Sequence, residues 1–219
     1  MDEFLSEKEQ LEQIRAWWRE NGWYLIGGVA LGVLVLLGWN RYNAYQDARA
    51  EAASTLYVEL RQAVADDALG DARNLLTQLR DDYPQSPYTD HGGMLVAVMR
   101  MDAGQMNGAI EELRLVMESS RDPELALVAR LRLARVLADQ ERYEEALAAL
   151  DVDPGSFSGR YNEVRGDIHV GLGDPASARM AYNAALTAQE SNLVDRNLVQ
   201  MKLEDLPAVE VTTAEEAAQ

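Results

Sequence analysis

The chain has 219 residues, with 20 Lys and Arg against 37 Asp and Glu. That bounds it to one ordinary domain plus an attachment, and a formal charge of −17 repels nucleic acid over most of the surface. Apolar residues at 47% and charged residues at 26% exclude a wholly disordered chain, and the lack of any cysteine removes disulfides, thiol catalysis and Cys-based metal centres.

The first stretch is acidic, with Asp2, Glu3, Glu7, Glu9, Glu12 and Glu20 against Lys8, Arg15 and Arg19. Ser6 and Glu9 have capping-box spacing, and Leu11, Ile14 and Trp18 follow at helical spacing. Two readings stand: a short interfacial helix ending at Asn21-Gly22, or a solvated acidic tail.

From Asn21 to Asn40 there are 20 consecutive residues without a charge. At 1.5 Å per residue such a helix covers roughly 30 Å, the thickness of a bilayer's hydrocarbon core. Trp17, Trp18 and Trp23 precede the apolar run and Trp39 follows it, with Tyr24, Tyr42 and Tyr45 nearby. Amphipathic rings prefer the headgroup layer. The acidic residues ahead of the run and its exit into Trp39, Asn40, Arg41 and Tyr42 argue against a cleaved signal peptide, which has a positive start and a small-residue cleavage site. The reading is an uncleaved anchor in a lipid bilayer. Three bases before the span and two after it (Arg41 and Arg49) weakly favour an N-terminus inside. Gly28 and Gly32 form a G-x-x-x-G pair, which suits either a contact face for another membrane helix or the ordinary composition of a membrane helix.

Beyond the span the pattern is helical and recurrent. Turn clusters rich in Gly, Asp and Asn separate stretches rich in Ala, Leu, Glu and Arg. Four alanines, Ala72, Ala109, Ala146 and Ala178, align the second helices of four hairpins at separations of 37, 37 and 32 residues. Four residues after each comes a large side chain (Leu76, Leu113, Leu150, Tyr182), and twelve residues before each stand Leu60, Ala97, Ala134 and Gly166, three of them small. Gly171 and Gly173 end one helix, with Asp174 as N-cap and Pro175 at the first position of the next. The fold class is all-α: a single N-terminal transmembrane helix followed by an α-solenoid of helical hairpins.

The small-residue, turn, Ala, large-residue rhythm resembles tetratricopeptide repeats (TPR), best in LRLARVLADQERYEEALAALD (131–151) and VRGDIHVGLGDPASARMAYNAAL (164–186). The large aromatic that opens the consensus is replaced by Leu56, Gly93, Arg130 and Asn162, and the closing proline stands only at Pro84. The whole layout is similar to the bacterial ancillary Sec translocon subunit family, the YfgM-like proteins. It has an acidic start, then WWRENGWYLIGGVALGVLVLLGWNRY (17–42), then a degenerate repeat domain ending near MKLEDL (201–206). The resemblance implies an inner-membrane protein whose repeat domain stands in the periplasm. Its implied partners are the Sec translocon channel and a membrane-anchored periplasmic chaperone, and its implied task is to assist exported client proteins. The expected layout is a cytoplasmic segment 1–22, a transmembrane helix 23–40, a TPR-like domain 41–206 and a disordered acidic tail 207–219. A cytoplasm-facing adaptor or regulator of another membrane complex is the alternative.

Stacked hairpins present a concave surface built by the first helix of each pair. The expected protein-binding residues there are Met94, Val98 and Met101, then Val128, Leu131 and Arg135, then Arg160, Glu163 and Asp167; for Met94 and Met101 the competing reading, which an apolar residue on a helix favours, is inter-repeat core. Catalysis finds only His91 and His169, neither with a suggestive neighbour. His91 reads as lying at a helix start before Gly92-Gly93, and His169 as a packing residue. The acidic pairs Asp66-Asp67, Asp81-Asp82, Glu111-Glu112 and Glu144-Glu145 read as solvated helix surface and capping positions. No enzyme, cofactor, metal or nucleic-acid partner is expected.

Overall fold

The computed structural model describes residues 7–188 and 194–207. Ser6, the expected N-cap, and the expected tail beyond Pro207 lie outside the described residues. The chain divides into two compact units meeting between Ala52 and Ala53, and helix α1 (Glu7–Ala65) contributes to both.

In the first unit α1 shows no break at Asn21-Gly22, which corrects the expected end of a helix there. The Asn21 side-chain amide donates to the Trp17 carbonyl one turn back at 3.2 Å. The Trp18 ring covers Gly22 so closely that a Cβ would meet it at 3.1 Å. Two residues of poor helix propensity are thereby absorbed into the helix. From Trp23 to Trp39 the large apolar side chains are exposed all round, Trp23 at 80% and Leu36 at 69%. The helix is long and apolar enough to cross a membrane, with a mean hydropathy of 1.8 over its most apolar stretch, and only 6% of that stretch is buried. A core helix of a soluble domain would be mostly buried.

The second unit is a run of helical hairpins. The end of α1 pairs with α2 (Leu69–Asp82), α3 (Pro87–Asp102) with α4 (Met106–Ser119), α5 (Pro123–Asp139) with the short α6 (Tyr143–Ala149), and α7 (Ser158–Gly171) with α8 (Pro175–Thr187). A final helix α9 (Arg196–Glu204) packs on α8. The aligned positions are all core: Ala72, Ala109, Ala146 and Ala178 are 0% exposed, and Leu76, Leu113, Leu150 and Tyr182 are buried. The small-residue rule holds where bulk is opposite. A Cβ on Gly166 would lie 2.3 Å from the Tyr182 ring, so the fourth hairpin takes a tyrosine only because its partner is glycine.

The four hairpin turns are one motif repeated. Asp67, Gly104, Glu141 and Gly173 each have positive φ (54°, 72°, 57° and 71°), and each lies five residues before its aligned alanine. The next residue closes a six-to-one bond: Ala68 N–H to Ala63 O, Gln105 to Arg100, Arg142 to Leu137 and Asp174 to His169, at 2.7–2.9 Å. This is the Schellman ending, which satisfies carbonyls a helix end leaves open. Two turns use glycine, and two hold an acid in a conformation that costs an L-residue about 1 kcal/mol or more.

Helix starts are equally explicit. Ser86, Asp122, Asp174 and Asp195 cap α3, α5, α8 and α9, and proline follows the first three. The Asp122 carboxylate accepts from the amides of Glu124 and Leu125 at 2.9 and 3.2 Å. Ser86-Pro87 and Asp122-Pro123 carry the same signal as Asp174-Pro175. They place His91 and Gly92-Gly93 inside α3, not at its start. Both glycines are packing positions: a Cβ on Gly92 would meet Leu60 and Leu76, and one on Gly93 would meet Val116.

The separation of 32 residues has its cause in α6, seven residues long against fourteen for α2 and α4. Its truncated end is stabilised from neighbouring helices, where Arg130 donates to Ala149 O at 3.5 Å and Arg165 to Leu150 O at 2.6 Å. Cations at a helix C-terminus offset its dipole as well as its open carbonyls. Tyr161, fully buried on α7, donates to Leu127 O on α5 at 2.8 Å and ties the third hairpin to the fourth.

Candidate protein-binding face

Each first helix turns one side into the core and leaves the other for solvent. The residue directly after each packing position marks the open side: Arg61, Val98, Arg135 and Asp167. Arg61 and Arg135 are exposed and Val98 is 39% exposed. Val128 and Met101 are half-buried against the core, and Arg160 is half-buried. Met94, Leu131 and Glu163 are 5%, 7% and 4% exposed, which removes them from the expected face. Each stands three residues before its packing position, a step that turns a helical side chain by about 60° toward the neighbouring hairpin. Met94 is therefore core, and so is Leu131.

Glu163 is buried beside two basic side chains. Lys202 on α9 lies 3.2 Å from its Oε1, and Arg160 lies 3.7 Å from its Oε2. The same Lys202 donates to both oxygens of Asp167 at 2.8 Å, and the Tyr182 hydroxyl donates to Asp167 at 2.7 Å. Burial, then the hydrogen bond to Asp167, raises the Tyr182 phenol above its ordinary range. One ammonium thus holds two carboxylates on α7 and pins α9 across them. The expected partner-binding roles of Glu163 and Asp167 meet an occupant already in the chain.

A second ionic cluster corrects the reading of Glu111-Glu112 as solvated. Glu112 is 6% exposed and pairs with Arg80 from α2 and, at 3.4 Å, with Arg100 from α3. A carboxylate taken out of water needs such partners, and two guanidiniums supply them. Glu111, Asp81, Asp82 and Glu144 remain exposed.

The histidines lie apart from both clusters. His91 is exposed, its ring 6.4 Å from that of Tyr57, which stacks on Tyr88 at 5.4 Å. His169 places Nδ1 3.9 Å from Asp174 Oδ2. The hydrogen bonds from Ser177 hold the Asp174 carboxyl below its usual range, as an N-cap carboxylate requires. Among the described residues no group of three or more His, Asp or Glu side chains could hold a metal ion. In the first unit, a Cβ on Gly28 or Gly32 would meet nothing within 4 Å, so that face is open along the helix.

Comparison with known proteins agrees with this architecture. A family described as tetratricopeptide repeat-like domain matches residues 15–208. The ancillary SecYEG translocon subunit of Neisseria gonorrhoeae is 30% identical, over 92% of this chain and 98% of its own length. The chain belongs to that family. The family's proteins from Escherichia coli and Haemophilus influenzae are 27% and 26% identical, over 94% and 92% of this chain and 99% and 98% of their own lengths. Family membership and one apolar helix near the N-terminus fit an inner-membrane protein.

Sequence reasoning passed over Arg61 and Lys202. The first was legible, since it follows from the repeat register once the open side is defined. Lys202 was not, because nothing local shows that α9 returns to α7.

Proposed function

We propose that the protein is a membrane-anchored, non-catalytic scaffold of the Sec translocon. In this reading residues 1–22 are cytoplasmic, 23–40 cross the inner membrane, 41–206 form the periplasmic repeat domain and 207–219 a tail. The repeat domain engages a membrane-anchored periplasmic chaperone and exported client proteins as they leave the channel. The relatives named for SecYEG support the channel as partner. The observation that carries the proposal is an apolar helix left exposed among the described residues, in a chain that also carries a tetratricopeptide repeat-like domain.

The mechanism is proximity. Tethering the scaffold and its partners to one bilayer makes each contact effectively intramolecular, so weak surfaces suffice. The open Gly28–Gly32 face suits close helix packing against a membrane partner, where small residues let backbones approach. The exposed side of the first helices suits a soluble or emerging chain.

Photo-crosslinking in cells from position 32 in the span and position 98 on α3 tests this. The expected adducts are channel subunits from the first, and a chaperone or exported chains from the second. Adducts only with cytoplasmic proteins from position 98 would favour the adaptor reading and end this one.

A further inference from the structure

We infer that the exposed side of the first helices recognises an extended protein segment in which carboxylate side chains alternate with apolar ones. The inference rests on the repeat domain being a protein-binding surface, as proposed above, and adds the recognition chemistry. The chain carries −17 overall, yet this side concentrates unpaired cations. Arg61 on α1 and Arg135 on α5 occupy the same repeat position, and Arg132 lies one turn before Arg135. All three are exposed, and none has a hydrogen bond or ion pair among the described residues.

Arginines elsewhere in the repeats are mostly engaged: Arg80 and Arg100 hold Glu112, and Arg114 and Arg142 hold Glu145. The acids on the first helices do not cancel the free cations. Asp167 is bound by Lys202 and Tyr182, and Glu163 is buried between Arg160 and Lys202. Asp90 and Glu124 stand in first turns and Asp102 and Asp139 at last residues, and the exposed Glu59 is turned about 160° around α1 from Arg61. Beside the arginines lie apolar positions of the same helices, Val58 at 59% exposure, Val98 at 39% and Val128 half-buried.

A guanidinium pairs a carboxylate through two parallel hydrogen bonds, and a neighbouring valine gives an apolar side chain a footing. An extended strand turns successive side chains to opposite sides, so alternate residues reach such a surface. The acidic remainder of the protein repels the same segment, which confines it to this side, and a basic segment meets the opposite field.

The test uses the full chain in lipid nanodiscs and fluorescence anisotropy with two short labelled peptides, one alternating glutamate with valine and one alternating lysine with valine. The glutamate peptide should bind, more weakly as salt rises. The double variant Arg132→Glu/Arg135→Glu should bind it at least about tenfold more weakly. Arg73 on α2 and Arg121 before α5 are exposed and equally unpaired, so Arg73→Glu/Arg121→Glu is a charge-matched control expected to stay within about twofold. Unchanged helical circular dichroism would show that both double variants fold. Equal loss in the two variants, no binding of the glutamate peptide, or equal binding of the lysine peptide would overturn the inference. Crosslinks from position 98 separate the two levels: if they persist while the glutamate peptide fails, the chemistry is wrong and the scaffold stands, and if both fail, both fall.

Discussion

Leucines and valines fill both units of this chain, and their surroundings differ completely. Leu34 and Leu36 on α1 are 66% and 69% exposed, whereas Leu113 and Leu137 in the repeats are 1% exposed. In the repeats the core leucines and valines are covered by neighbouring helices. Along residues 23–39 of α1 nothing among the described residues provides such cover, and lipid is the solvent that fits such a rod. Apolar content alone does not say which solvent a residue meets; its pattern does. The repeats place apolar residues on one helical side and the span places them on all.

Matched truncations sharpen that contrast. Leu113→Ala should cost the repeat domain about 3 kcal/mol through lost burial and the cavity left behind, read as a lower urea midpoint. Leu34→Ala should leave that midpoint unchanged. A comparable loss from both would mean the apolar rod packs on the repeats.

Lys202→Ala strips two carboxylates of their shared cation. Since Lys202 keeps 27% of its side chain in solvent, the expected cost is about 1–2 kcal/mol, below that of a fully buried pair. Hydrogen exchange should quicken in α9 and not in α3 or α4. Uniform acceleration across the domain would show that the pair does not act locally.

Glu141 should accept glycine with a gain of about 0.5–1 kcal/mol, because its φ of 57° is unfavourable for a side chain. Gly104→Ala, at φ 72°, should move stability the other way. Equal signs would contradict the left-handed turn.

Alkaline pH offers the finest discrimination between the units. Burial pushes the Tyr161 phenol up to about 12, above its unfolded value of about 10. Its contribution is therefore complete below about pH 10 and is lost as pH rises toward 12. Repeat-domain helicity should fall over that range, less steeply in Tyr161→Phe. An identical profile in the variant would assign the alkaline loss to other groups.

The register of the repeats was readable because packing constrains two positions per hairpin, and Ala97 with Ala109 or Gly166 with Tyr182 leaves that constraint in the letters. Turn chemistry was half readable: Gly104 and Gly173 announce left-handed residues, while Asp67 and Glu141 adopt the same φ under cover of ordinary composition. The binding side was misjudged at Met94 and Leu131, since position on a helix places a residue only once its neighbours are known. The ion held by Lys202 spans 39 residues to Glu163, a distance no local pattern crosses.

The central claim, that the two units meet different solvents on a stated side of the membrane, is open to direct measurement because the chain has no cysteine. Single cysteines at positions 13, 31 and 91 can be probed in intact spheroplasts with a membrane-impermeant maleimide. The account predicts that His91→Cys labels at once, Gln13→Cys only after lysis and Leu31→Cys only after detergent. Labelling of Leu31→Cys in intact membranes, or silence of His91→Cys until lysis, would contradict it.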